Sequence, residues 1–227
     1  MLDEAVVNAL GGYSAPSIFN GLKWLGVSVD QLESVGRHAA RCMAPALGPR
    51  IGFAVTRRVA TRSSGPPADA DRTTRQGALI DAQIMGLPAP RFLVVENIGD
   101  HAGRMCIWGE LAATINVAMG CVAGLTNGPV RDLPEMEAVG FLSFAGGVAT
   151  GGGHVDAIDV GTPVSIGGIT IETGDLLLGD RHGVVKIPIE LAARLPEAIR
   201  AVDEREARII AYCKSADFSA AGLAAMR

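Results

Sequence analysis

The sequence predicts a mixed α/β fold in one domain, and three features of its pattern carry that prediction. From residue 77 onward, amphipathic helical stretches alternate with short apolar strands. After the glycine run Gly151–Gly153 the chain becomes a series of short extended pieces separated by turn signals, and it closes on a long amphipathic helix. With 227 residues, 48% hydrophobic and 19% charged, it can bury a full core. A chain of that length buries on the order of 70% of its unfolded surface, so neither disulfides nor a structural metal is required.

Each element has a local reason. Ser14 followed by Ala15-Pro16-Ser17 is a helix start, and Ile18, Leu22 and Leu25 fall on one face until Gly26 ends the helix. A second helix is expected over Asp30 to Met43, before Pro45 and Pro49; the β-branched run IGFAVTRRVAT then reads as a strand. Thr61 to Arg75, with Ser-Ser-Gly-Pro-Pro, reads as a loop. Ala78–Met85 (helix), Phe92–Glu96 (strand), Glu110–Met119 (helix) and Cys121–Thr126 (strand) follow, and the last three make a βαβ unit with parallel strands and a right-handed crossover. A short helix at Pro134–Val139 and a strand at Gly140–Ala145 extend the alternation. AIDVG, PVSIGG, ITIETGD, LLLGDRHG and VVKIP form a β-rich meander, with His182 in a hairpin turn. The final helix runs from about Ile189 to Lys214, its apolar stripe being Leu195, Ile199, Val202, Ile209 and Tyr212.

Composition excludes several function classes. The net charge of −4 and the lack of a long basic run argue against a nucleic-acid binder, and Arg57, Arg58 and Arg62 read as a solvated strand edge. Cys42, Cys106, Cys121 and Cys213 show no zinc-type spacing and read as reduced, mostly buried thiols, which suits the cytoplasm. The acidic start MLDEAVVNAL is unlike a signal peptide, and no apolar run reaches the ~18 residues of a membrane helix, so no membrane association is expected. There are three lysines, Lys23, Lys186 and Lys214, so a Schiff-base enzyme has three places for its amine. Lys186 reads as a surface residue.

The chemistry is expected beyond the carboxyl ends of the parallel strands, where open α/β sheets bind ligands. Those ends are Asn97-Ile98-Gly99-Asp100-His101 and Asn127-Gly128-Pro129-Val130-Arg131-Asp132. Between them a helix starts at Gly109-Glu110-Leu111-Ala112, whose unpaired amides suit an anion. An arginine at such a turn can hold a carboxylate or enolate in two hydrogen bonds, and an aspartate supplies the hard oxygen that Mg2+ prefers. Taken alone, an Arg-Asp pair is more often a helix cap with a surface partner.

WGELAATINVAMGCVAGLTNGPVRDLPEMEAVGF and VGTPVSIGGITIETGDLLLGDRHGVVKIP resemble the RraA-like proteins, which include the divalent-metal-dependent 4-hydroxy-4-methyl-2-oxoglutarate aldolases and the regulator of ribonuclease E activity. The likeness is clearest from Phe92 to Pro188, and the aldolase signature falls on Glu110, Arg131, Asp132 and Glu135. It implies a swivelling β/β/α fold, a single domain over residues 1–227. The helices of about 1–45 and of about 189–214 would then pack on neighbouring subunits of a trimer or hexamer. It further implies a metal on Asp132, Mg2+ first and Mn2+ second, with Arg131 on the pyruvyl group and the amides of Leu111 and Ala112 on the substrate carboxylate. Glu110 matches the acid that holds a metal-bound water; Glu206 of a neighbouring subunit, or else Glu204, completes the water shell. Relatives often carry an arginine at Gly146, basic residues in the loop Gly151–His154 and an aspartate at Asn127. The function implied is an aldolase or oxaloacetate decarboxylase acting on a 2-oxo acid. The rival is a non-catalytic regulator that covers a ribonuclease or another protein partner.

Overall fold

The structure is a computed structural model that describes residues 2–62, 70–99 and 104–226, with the side chains of 70–74 left out. Its elements in order are α1 (Glu4–Leu10), α2 (Ala15–Trp24), β1 (Ser34–Gly36), β2 (Arg41–Cys42), β3 (Arg50–Arg62), α3 (Ala70–Met85), β4 (Arg91–Asn97), α4 (Glu110–Ala118), β5 (Cys121–Thr126), β6 (Pro129–Val130) and α5 (Leu133–Ala138). Then come β7 (Leu142–Ala145), β8 (Gly147–Val148), β9 (His154–Val160), β10 (Val164–Ile166), β11 (Ile169–Ile171), β12 (Leu176–Asp180), β13 (Gly183–Ile187), α6 (Ile189–Ala192), α7 (Leu195–Cys213) and α8 (Ala220–Met226).

The main sheet runs β1-β13-β12-β3-β4-β5-β7-β2, with β9 pairing the far part of β3. Its centre, β3 to β4 to β5 to β7, is parallel, as the βαβ reading requires, and its flanks are antiparallel. Alternation along the strands sorts side chains to two faces. Phe92 and Val94 join a core with Val35, Phe144 and the β10–β11 hairpin, while Leu93 and Val95 join a core with Ile84 of α3, Ala113 of α4 and Met136 of α5. A third core packs α1, α2, α6 and α7 against Ile51, Phe53, Leu176 and Val185. The result is a β hairpin layer, a mixed sheet and a helical layer.

Four expectations change. Asp30–Met43 is not a helix: Ser34–Gly36 pairs with β13, Arg41–Cys42 pairs with β7, and only a 3-10 turn survives at Val29–Gln31. Val35 is the physical reason, since the strand puts this β-branched side chain into the core and a helix at the sheet edge would leave β13 unpaired. The loop expected at Thr61–Arg75 is shorter, because β9 extends β3 to Arg62 and α3 begins at Ala70; residues 63–69 lie outside the described residues. The C-terminal helix is two, α6 and α7, with Pro196 in the first turn of α7, where its missing N–H costs nothing. Finally, Arg57, Arg58 and Arg62, three of the four arginines of β3, are not simply solvated. Arg58 and Arg62 pair with Asp159 and Asp156 across the β3–β9 ladder. Arg57 has a buried, unpartnered Nε, and burial pulls its guanidinium down to about 10.

Candidate active site

The site grows from the loops after β4 and β5. Trp108, just before α4, is buried edge-on against Phe141 with its Nε1 donating to Ser143 Oγ at 3.0 Å, which fixes where α4 starts. The ends of β4 and β5 are tied by a reciprocal pair: Asn97 N donates to Asn127 Oδ1 (2.7 Å) and Asn127 Nδ2 donates to Asn97 O (3.0 Å). A carboxylate at position 127 could accept but not donate, so the asparagine is the better strand-end link. Asp100 and His101 lie outside the described residues.

Asp132 has φ 53° and ψ 47°, the left-handed region, and among the described residues no other non-glycine has positive φ. It stands at the N-cap of α5, yet its side chain makes no bond there. Instead Oδ2 accepts the N–H of Glu110, the first residue of α4, at 3.1 Å, and Arg131 Nε lies 3.4 Å from the same oxygen. The pair is thus a bridge between two helix starts rather than an ordinary cap. Gly109 permits it, because a Cβ there would overlap Asp132 Oδ2. Both side chains remain accessible, Arg131 at 47% and Asp132 at 38%.

These groups line a cleft of about 500 Å3 with Cys106, Ile107, Trp108, Ile115, Gly152 and Gly153. Glu110, Leu111 and Ala112 are on its rim, so the first turn of α4 presents its amides to the space. Glu135, in the first turn of α5, does not line the cleft, and neither do Glu204 and Glu206, which are exposed on α7. Among the described residues, no three His, Cys, Asp or Glu side chains gather as a metal cage.

Of the lining residues, Cys106, Ile107 and Ile115 carried no site signal in the sequence. Cys106 donates to the carbonyl of Ala149 at 2.9 Å, and burial pushes its thiol up although Arg131 pulls the other way, so it is a neutral wall group and not a nucleophile. Gly152 and Gly153 line the cleft, the loop is tied to Cys106 by the Cys106 N–H donating to Gly151 O (3.1 Å), and a Cβ at Gly152 would come within 3.7 Å of Arg131. Gly146 has no room for a side chain, since a Cβ would overlap the carbonyl of Asn127. Lys186 is held elsewhere by Asp175 (2.9 Å) and Glu33 (3.2 Å); burial lowers its pKa, but these carboxylates more than offset it and leave the ammonium above its ordinary value, the reverse of an activated amine.

A sheet of this topology places an arginine, a half-exposed carboxylate and the first amides of a helix around one strand-end cleft, an arrangement with the chemistry to hold a small anion. The chain belongs to the RraA-like family, whose Aldolase/RraA model matches residues 28–186. That family includes both 4-hydroxy-4-methyl-2-oxoglutarate aldolases and RraA regulators. The chain is 30% identical over 121 residues to an uncharacterised protein of Methanocaldococcus jannaschii, covering 52% of this chain and 58% of that one. It is 29% identical over 97 residues to a protein of Halalkalibacterium halodurans provisionally named a 4-hydroxy-4-methyl-2-oxoglutarate aldolase, covering 42% and 45%. These matches thus span only about half of each relative. Among solved structures, an uncharacterised protein from Pseudomonas syringae superposes with a TM-score of 0.71 at 23% identity, covering 100% of this chain and 94% of that one. A Streptomyces coelicolor protein described as an unusual member of the RNase ES inhibitor RraA family gives 0.66 at 19%, covering 92% and 96%. At such identities the likeness establishes the fold.

Proposed function

We propose that the chain is a divalent-metal-dependent carbon–carbon lyase that cleaves a 2-oxo acid through a pyruvate enolate, with oxaloacetate decarboxylation as a second activity. The observation that carries this reading is Asp132, turned into a left-handed conformation so that its carboxylate meets Arg131 and the start of α4 in one cleft. Strained non-glycine residues of this kind concentrate at functional sites.

The residues fit a divalent cation. Asp132 Oδ1 has no partner among the described residues, its oxygens are hard donors, and Gly109 leaves the space beside them open. Mg2+ commonly takes one or two carboxylates and keeps several waters, so a single aspartate suffices, and Mn2+ fits the same donors. When bound, the cation would supply Lewis-acid stabilisation to the developing enolate. The chain's own groups do the rest. The amides of Leu111 and Ala112 seat the substrate carboxylate, and Arg131 neutralises the oxygen on C2. Glu110, at the rim, receives the C4 hydroxyl proton through solvent as the C3–C4 bond breaks. The bonding pair passes into the enolate, and the proton returns to C3 to give pyruvate. With oxaloacetate the C3–C4 bond breaks with loss of CO2, and the proton that C3 gains comes from solvent.

The assembly in this reading is a homotrimer or hexamer in the cytoplasm, with α7 of a neighbour bringing Glu206, or else Glu204, to the cleft. Residues 203–208 of α7 are all exposed on the isolated chain, which supports that role. A non-catalytic regulator is the second reading. It is favoured by the apolar rim, where Leu111 is 76% exposed beside Ile115, as a protein-covering surface would be. Pyruvate release from oxaloacetate and from 4-hydroxy-4-methyl-2-oxoglutarate, with Mg2+ or with EDTA, separates them. Metal-dependent release is expected; no release from either acid leaves the regulator.

A further inference from the structure

The turn between β12 and β13 holds a second constellation that the lyase reading does not use. Asp180 is only 4% exposed, and its carboxylate is engaged on both oxygens. Oδ2 accepts the N–H of Ala15, the first residue of α2, at 3.0 Å; Oδ1 accepts the N–H of His182 at 2.8 Å; and His182 Nδ1 lies 3.1 and 3.2 Å from the two oxygens. A carboxylate facing a ring nitrogen accepts, so Nδ1 carries a proton and the ring orientation is set. Only Nε2 is left to face outward. The side chain is 55% exposed, which makes this a buried carboxylate spent on orienting an accessible imidazole.

His182 is the wall shared by two clefts of opposite character. One, of about 510 Å3, is lined by Arg37, Arg181, Cys42, Pro45 and Ala46. Neither arginine has a hydrogen bond or ion pair among the described residues, although Arg37, Arg181 and Asp180 are all close enough to act electrostatically on the Cys42 thiol. The other, of about 280 Å3, is lined mainly by apolar groups, among them Pro16, Phe19 and Val185. Small-molecule sites combine this kind of apolar wall with a few oriented polar groups.

We propose that these adjoining clefts form a second ligand site, separate from the Arg131–Asp132 cleft. It takes a small organic anion with an apolar body, whose phosphate or carboxylate sits among Arg37, Arg181 and His182 Nε2 and whose body lies against Phe19 and Pro16. Two guanidinium groups can each donate to anionic oxygens, and a doubly protonated His182 would add a third donor at Nε2 with the Asp180 carboxylate beside Nδ1. Nothing in this inference depends on the lyase reading.

Calorimetric titration of the full chain with phenyl phosphate, 3-phenylpropionate, inorganic phosphate and benzyl alcohol tests it. Saturable binding of phenyl phosphate or phenylpropionate is expected, the tighter of the two identifying the anion, with inorganic phosphate and benzyl alcohol both weaker. Arg37→Ala/Arg181→Ala, at exposed positions, should weaken binding by at least about tenfold, and His182→Gln should weaken it severalfold. Arg131→Ala, which removes the guanidinium of the other cleft, should leave it unchanged. The proposal is overturned if neither aryl anion saturates, if the double arginine variant binds as the parent does, or if Arg131→Ala abolishes binding. Inorganic phosphate binding as tightly as phenyl phosphate would overturn the apolar half of the site.

Discussion

Asp132 and Asp180 are two versions of one device. Each stands at a turn near a strand end and accepts the first amide of a helix distant in sequence, Glu110 N in one case and Ala15 N in the other. They differ in what is left over. Asp180 is buried with both oxygens satisfied, and its surplus goes into orienting His182. Asp132 is half-exposed, backbone-strained, shares one oxygen between an amide and a guanidinium, and keeps the other open. A saturated carboxylate stabilises and positions; an unsaturated one in a strained conformation is available to a substrate or a cation.

That contrast can be broken most directly at Asp132. Asp132→Ala should reduce metal-dependent turnover by about 10²–10³-fold while the melting temperature stays within a few degrees of the parent, because little is buried there. Steady-state pyruvate release together with a thermal melt reads both, and full turnover in this variant would remove the basis of the lyase assignment. Asp180→Ala should do the opposite. It strands two backbone donors, those of Ala15 and His182, at a cost of about 2–3 kcal/mol in denaturant unfolding, with residual turnover per folded molecule intact.

Asn127 sharpens the comparison at a smaller scale. Asn127→Asp loses the donor to Asn97 O and sets two acceptors against each other, so a loss of about 1 kcal/mol is expected in urea unfolding; no loss would mean the two strand ends are held by other contacts. Lys186 probes a half-buried ion-pair cluster by comparison. Its pKa is raised in the folded chain, so its stabilisation is fully present below the ordinary lysine value of 10.5 and disappears as pH climbs through the folded value. Lys186→Met should therefore cost about 1 kcal/mol or less at neutral pH, and the difference from the parent should vanish at strongly alkaline pH.

Much of this molecule was legible in the sequence because the signals were local. Ser14 caps α2 as its position predicts, Cys121–Thr126 is a strand at those exact bounds, and Arg131-Asp132 lies beyond the end of a parallel strand opposite the start of α4. Sequence also placed His182 in a hairpin turn. It failed at Asp30–Met43, where weak helical periodicity lost to the pairing of Ser34–Gly36 with β13 about 150 residues further on.

The sequence by itself therefore determined the alternation of helices and strands, the parallel βαβ unit and the residue types brought to its carboxyl edge. Only the tertiary structure decided that Asp132 bridges to α4 instead of capping its own helix, that Glu135 stays off the cleft, and that Gly146 has no room for a side chain. It alone showed that Asp180 is buried behind His182. The physical reason is range. Periodicity and caps are written within a few residues, whereas these hydrogen bonds join partners 22 and 165 residues apart, and their cost or benefit depends on burial that no local pattern encodes.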